Sequence, residues 1–185
     1  MKGKKRNEAD GAAGAATKAA APTEVGDAGG ADALDIDALK MFRVLIRAAQ
    51  RHSSWVERQC GVTGAQLWMM QELHEAPGLR VGELAERMAI HQTTASNLLD
   101  AIVRKGLADK VRDASDQRIV KVLLSKEGKA VIRRAPKPAR GLLPEALLRM
   151  QPDDLKALTT GLHALLNAIE LPEDSSAGLP LPFMM

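Results

Sequence analysis

The chain has no tyrosine, two phenylalanines, two tryptophans and a single cysteine among its 185 residues. That shortage excludes a core built on stacked rings. The apolar 45% is mainly Leu, Ala, Val, Ile and Met, a set that favours helix, and it is enough for one domain with a real core. One thiol, Cys60, excludes an internal disulfide framework and fits a reducing compartment. No run is apolar enough to span a bilayer. The N-terminal MKGKKRNEADGAAGAATKAAAP begins basic but lacks the apolar stretch of a signal peptide. A cytoplasmic protein with no membrane partner is expected.

Catalytic patterns are missing too. His52, His74, His91 and His163 show no H-x-x-x-H or Cys/His ligand spacing. No nucleophile–base pairing and no Gly-rich phosphate loop is present. No metal, no cofactor and no enzymatic activity are expected.

What is present is an uneven distribution of charge. The formal net charge is only +3, with a pI of about 9.1. Yet residues 80–134 hold 12 Lys/Arg against 7 Asp/Glu, whereas residues 151–185 hold one Lys against five acids. A basic middle and an acidic end suggest a polyanionic partner for the middle.

Along the chain, residues 1–33 are Ala/Gly-rich and have little to bury; they read as a disordered tail. From Asp35, Ile36, Leu39, Phe42, Leu45, Ile46, Ala49, Val56 and Cys60 recur at helical spacing, which predicts one long amphipathic helix over 35–60, ended by Gly61. Thr63 and Gln66 form a capping-box start, and Pro77-Gly78 a stop. VGELAERMAI and HQTTASNLLDAIVRKG read as two helices, and LADKVRD and RIVKVLL as β strands joined by a polar tip. Ser125 caps a helix through KEGKAVIRRA. Pro136, Pro138 and Pro144 are expected to break or kink it. A last helix starts at Gln151-Pro152-Asp153-Asp154 and carries the stripe Leu155, Leu158, Leu162, Leu165, Leu166 and Ile169. Residues 172–185 read as a loose tail.

Residues 81–105 carry the functional signal. Leu84, Ala85 and Met88 share one helix face; Ala95, Leu98, Leu99 and Ile102 share the next. Small Ala85 and Ala95 allow close, steep packing, the spacing of a helix-turn-helix. The second helix then exposes Gln92, Thr93, Thr94, Ser96 and Asn97. These are short polar side chains, and Gln and Asn can pair with adenine in the major groove. A hairpin straight after such a helix is a wing. Arg112 and Arg118 flank its tip, suited to phosphate or a narrow minor groove. Asp116 is placed to tether either the Arg118 guanidinium or the loop backbone.

ELAERM, the S-x-x-x-D of SNLLD, RKGL, the D-x-R of DQR, and LLSKEG stand in the order and spacing of one family. The chain resembles the MarR (multiple antibiotic resistance regulator) transcription factors from about Asp35 to Glu170. The resemblance implies a mostly α fold with a small β-wing: a winged helix-turn-helix core with terminal dimerisation helices. It divides the chain into the tail 1–33, an N-terminal dimerisation helix 34–62, a DNA-binding domain 63–125, C-terminal dimerisation helices 126–171 and a tail 172–185. It also implies a homodimer on double-stranded, palindromic DNA, with Gln92, Thr93, Thr94, Ser96 and Asn97 reading the groove and Arg112 and Arg118 in the wing. The chain departs from the family pattern at His91, where Ser or Asp is usual, at Ala89, where Gly is common, and at the three prolines.

The expected function is a DNA-binding regulator, a repressor released by a small aromatic or anionic effector. His52, Trp55, Trp68 and Met69 are candidates for the effector pocket, with ordinary core packing as the competing reading. Two alternatives stay open: a winged-helix protein–protein module without DNA binding, and a redox sensor acting through Cys60.

Overall fold

The computed structural model describes residues 28–169 and 175–185. The expected disordered tail therefore lies outside the described residues as far as residue 27, as does part of the second tail. The chain divides after Asp37; the architecture below is that of Ala38–Met185.

Helix α1 runs Ala28–Cys60. It starts seven residues before the first apolar repeat at Asp35, so residues 28–33 are helical rather than tail. Apolar periodicity locates only the striped part of a helix, and residues 28–33 (AGGADA) carry no stripe to read. Gly61 ends it at φ +67°, donating its N–H to Glu57 O. Helix α2 (Gly64–Glu75) opens on a complete capping box: Thr63 Oγ1 accepts from Gln66 N–H, and Gln66 Oε1 accepts from Thr63 N–H. Helices α3 (Val81–Met88) and α4 (Gln92–Arg104) follow. Strands β1 (Ala108–Arg112) and β2 (Val120–Leu124) pair antiparallel, with Ala108 opposite Leu124 and Arg112 opposite Val120. Helix α5 (Lys126–Arg134) is capped by Ser125, whose Oγ accepts from Gly128 N–H at 3.0 Å.

One core joins these elements. Val56 and Cys60 of α1, Leu67, Met70 and Leu73 of α2, Leu84 and Met88 of α3, Leu99 and Ile102 of α4, Val122 of β2, and Val131 and Ile132 of α5 are all buried in it. Helix α5, placed by sequence among the dimerisation helices, packs on α2 and shares this core. Ala85 and Ala95 are buried where α3 and α4 meet.

The prolines divide: α5 ends at Arg134, just before Pro136 and Pro138, as expected of breakers, and Pro144 departs from expectation. Pro136 and Pro138 fall in the segment after α5, with a cis Lys137–Pro138 peptide. Pro144 breaks nothing: it lies in the first turn of α6 (Leu142–Arg149), where its missing N–H is not needed for the helix ladder. Helix α7 (Pro152–Ala168) has Pro152 at its start and Asp153 and Asp154 in its first turn. Leu158, Leu162, Leu165 and Leu166 of α7 lie exposed, as do Leu39, Phe42, Leu45 and Ile46 of α1. Residues 175–185 are not loose throughout. They form 3₁₀ turns at Ser175–Gly178 and Pro182–Met184, and Met184 is buried. A sequence without helical or strand period gave no sign of this docking.

Candidate nucleic-acid interface

The turn between α3 and α4 sets the site. Ala89 closes α3 in the left-handed conformation (φ 51°, ψ 44°), and its N–H bonds back to Ala85 O and Glu86 O. The usual glycine is missing, but its backbone shape is kept, at a cost of about 1–2 kcal/mol. Helix α4 then starts at Gln92, with His91 as its N-cap and no side-chain cap bond. Ala95, Leu99 and Ile102 face the core, which leaves Gln92, Thr93 and Asn97 exposed and Thr94 and Ser96 half-buried. The exposed face of α4's first two turns is therefore short, polar and free of large apolar groups.

The far end of α4 is tied to the wing. Asp100 pairs with Lys110 of β1 at 2.7 Å, and hydrogen bonding to Lys110 holds the Asp100 carboxyl below its usual range. Two bonds anchor the other strand: Gly78 N–H donates to Val122 O and Val122 N–H to Leu79 O, both at 3.0 Å. The wing thus cannot swing freely relative to α3 and α4.

At the wing tip, Arg112 and Arg118 are both exposed. Asp116 Oδ1 accepts the backbone N–H of Arg118 at 2.9 Å. Of the two roles open to Asp116, the structure displays the backbone tether. Asp113 was missed by sequence reasoning and organises the tip. Its carboxylate pairs with Lys121 of β2 and accepts from the hydroxyl and N–H of Ser115 and the N–H of Asp116. The Lys121 ammonium, then the Ser115 hydroxyl, hold this carboxyl well below the usual carboxylate range. The signal was available: Asp113 two residues before Ser115 is an Asx-turn spacing.

Of the four effector candidates, His52 and Trp55 meet, while Trp68 and Met69 lie elsewhere. His52 is buried, with Nε2 3.0 Å from Pro138 O, and meets the Trp55 ring edge-on at 6.1 Å. Trp55 is 45% exposed. Trp68 turns its indole N–H to Glu72 Oε1 at 3.0 Å, and Met69 is fully buried. Of the four, His52 alone lines the groove between α1 and α6, beside Ala49, Val56, Leu142, Phe183 and Met184. Cys60 is buried in the core, and burial pushes its thiol up, the reverse of what a reactive thiol needs.

Comparison with known proteins places this geometry. Residues 61–119, which hold α2 to α4 and the wing tip, match the model of the MarR family. Over this segment the chain is similar to the MarR family. It is 27% identical over 97 residues to YsmB, an uncharacterized HTH-type transcriptional regulator of Bacillus subtilis (strain 168), an alignment covering 52% of this chain and 66% of that one. It is 33% identical over 73 residues to the HTH-type transcriptional repressor MdtR of the same organism, covering 40% and 46%. The chain thus spans less than two thirds of the length of these two relatives. A MarR family transcription regulator of solved structure superposes with a TM-score of 0.51 at 21% identity, covering 76% of this chain and 93% of that one. A MepR-like protein does so at 0.50 and 19%, covering 75% and 94%. At such identities these likenesses establish the winged-helix fold alone.

Proposed function

We propose that this chain is a MarR-type regulator: a homodimeric, sequence-specific DNA-binding protein that represses from a palindromic operator and is released by a small aromatic or anionic effector. The observation that carries the DNA-binding part is the outward face of α4, where Gln92, Thr93 and Asn97 stand exposed at the start of the second helix of a helix-turn-helix, the end that meets base edges. The wing with Arg112 and Arg118 follows directly. A protein-docking module would show large apolar residues on that face. The apolar stripes of α1 and α7 support dimerisation: a monomer exposing Leu39, Phe42, Leu45, Leu158, Leu162 and Leu165 together would be prone to associate. A two-fold dimer would space its half-sites about one helical turn apart. The effector part rests on His52, the one candidate at the groove.

The deciding experiment selects bound sequences from random duplex DNA with the purified full chain. A palindromic consensus is expected, with sedimentation at micromolar concentration giving a dimer. No enrichment would reject the DNA reading, and a monomer would reject the palindrome.

A further inference from the structure

Residues 177–185 bridge two places that matter to this reading. At one end, Gly178 O accepts the backbone N–H of His91, the N-cap of α4, at 2.8 Å. Gly178 also lines the same surface hollow as Ala89, Ile90 and Gln92. A Cβ on Gly178 would fall 2.3 Å from the His91 ring, so the imidazole packs directly against the bare glycine backbone. At the other end, Met184 is 4% exposed. Its backbone lies over Gly64 at the start of α2, its thioether lies beside Gly141, and with Phe183 it forms one wall of the groove that His52 and Val56 also line. Gly64 and Gly141 supply the bare backbone that lets the methionine in.

The N-terminal end of a recognition helix is where base edges are read, and its backbone N–H groups are natural phosphate donors. Here a chain carbonyl already occupies the His91 N–H. Backbone and duplex cannot both lie against Ala89–Gln92.

We infer that residues 177–185 form an intramolecular strap that holds the DNA-reading end of α4 closed, with Met184 as its anchor in the groove between α1, α2 and the segment before α6. This rests on the DNA-binding reading above. The strap must leave Gly178's contact with His91 before α4 enters a major groove, so the apparent DNA affinity is lowered by the fraction of molecules with the strap seated. Expelling Met184 raises affinity; fixing it lowers affinity.

The geometry offers a direct test in the full chain. A Cβ built on Gly64 stands 3.5 Å from Met184 Cβ, inside the roughly 3.5–4.5 Å that a disulfide requires. In the double variant Gly64→Cys/Met184→Cys, mild oxidation should close that bond, read by mass spectrometry after thiol alkylation. A pair that stays as free thiols means the strap is not seated, and overturns the inference without any DNA measurement. Binding to the selected duplex should fall about tenfold on oxidation, within the range of ordinary site-to-site coupling, and return on reduction. Met184→Asp, which puts a carboxylate where the groove is apolar, should bind more tightly than wild type. Equal affinity in oxidised and reduced forms, or weaker binding by Met184→Asp, would overturn the inference while leaving the DNA reading intact. If wild type, the locked form and Met184→Asp all fail to bind any duplex, the DNA reading falls and the inhibitory role falls with it.

Discussion

Arg140 Nε lies 2.7 Å from Glu72 Oε1, and the same guanidinium reaches Glu75 through its second terminal nitrogen. Arg140 belongs to the segment joining α5 to α6, and Glu72 to α2, so this pair fixes the exit from the winged-helix core. Glu72 is 3% exposed. Its two oxygens also accept from Trp68 Nε1 at 3.0 Å and Arg87 at 3.4 Å. This buried carboxylate is satisfied by three donors; without Arg140 it keeps Trp68 and Arg87 but loses its closest cation. The Glu72 carboxylate raises the Arg140 pKa above its ordinary value.

Arg140→Ala should therefore destabilise the fold by about 2–4 kcal/mol, because it leaves Glu72 buried with its main counter-charge gone. Urea unfolding followed by tryptophan fluorescence measures it. Glu72→Gln on top of Arg140→Ala should recover part of the loss, since an amide tolerates the missing cation. A loss below about 0.5 kcal/mol, the level of an ordinary surface change, would show that the pair is not needed.

Gly128 is required for a reason unrelated to φ. A Cβ there would stand 2.0 Å from Leu107 O. The first turn of α5 is pressed onto the strand entry, where Ser125 N–H donates to Leu107 O and Ser125 Oγ to Gly106 O. Gly128→Ala must push α5 away from β1 and break that junction. A loss of about 2 kcal/mol or more is expected, as for overpacking against backbone. Thermal unfolding decides it: a melting temperature equal to wild type would mean the junction yields freely.

These two residues also show how legible the chain was. The final glycine of LLSKEG was readable as a family feature, while its cause, a neighbouring carbonyl, is a tertiary contact that no spacing reports. Elements with a period were found: the α3–α4 pair through Ala85 and Ala95, the α7 stripe, and the strands around the wing. Helix α6 was missed because Pro144 reads as a breaker until its position in a first turn is known. The docking of Met184 was missed because one methionine in GLPLPFMM has no pattern to betray it. Among the candidate site residues, local chemistry was visible in Asp116, where two roles were open. Tertiary grouping was not: Trp68 and His52 look alike in sequence, but one answers Glu72 and the other Pro138.

The wing tip carries a pH prediction through Asp113. Its carboxyl is held below the ordinary range, first by Lys121 and then by Ser115. A depressed folded value means the contribution is present above the unfolded carboxyl pKa of about 3.9 and is lost as pH falls through the lower folded value. The tip should stay ordered at pH 4, where an unfolded Asp is about half protonated. Carboxyl ¹³C NMR should place Asp113's midpoint well below that of the unfolded chain. A midpoint near 4 would mean Lys121 and Ser115 do not hold it.

The sharpest division of labour is between the wing and α4. Arg112 is exposed at the end of β1, a long cation suited to phosphate; Gln92 is exposed at the start of α4 and suited to base edges. Arg112→Ala should weaken binding to operator and scrambled duplex alike and flatten the salt slope by about one. Gln92→Ala should cost about 1–3 kcal/mol on the operator alone and relax one base-pair preference per half-site. Arg118→Ala should behave like Arg112→Ala without loosening the wing, because Asp116 holds the Arg118 backbone N–H, which alanine retains. Asp116→Ala removes that bond and should lower both affinity and wing order. Titrations of all four variants against both duplexes at several salt concentrations separate these effects. If Arg112→Ala kept wild-type affinity and salt slope on both duplexes, the wing would not be touching DNA, and α4 with its neighbouring turn would have to supply the binding unaided.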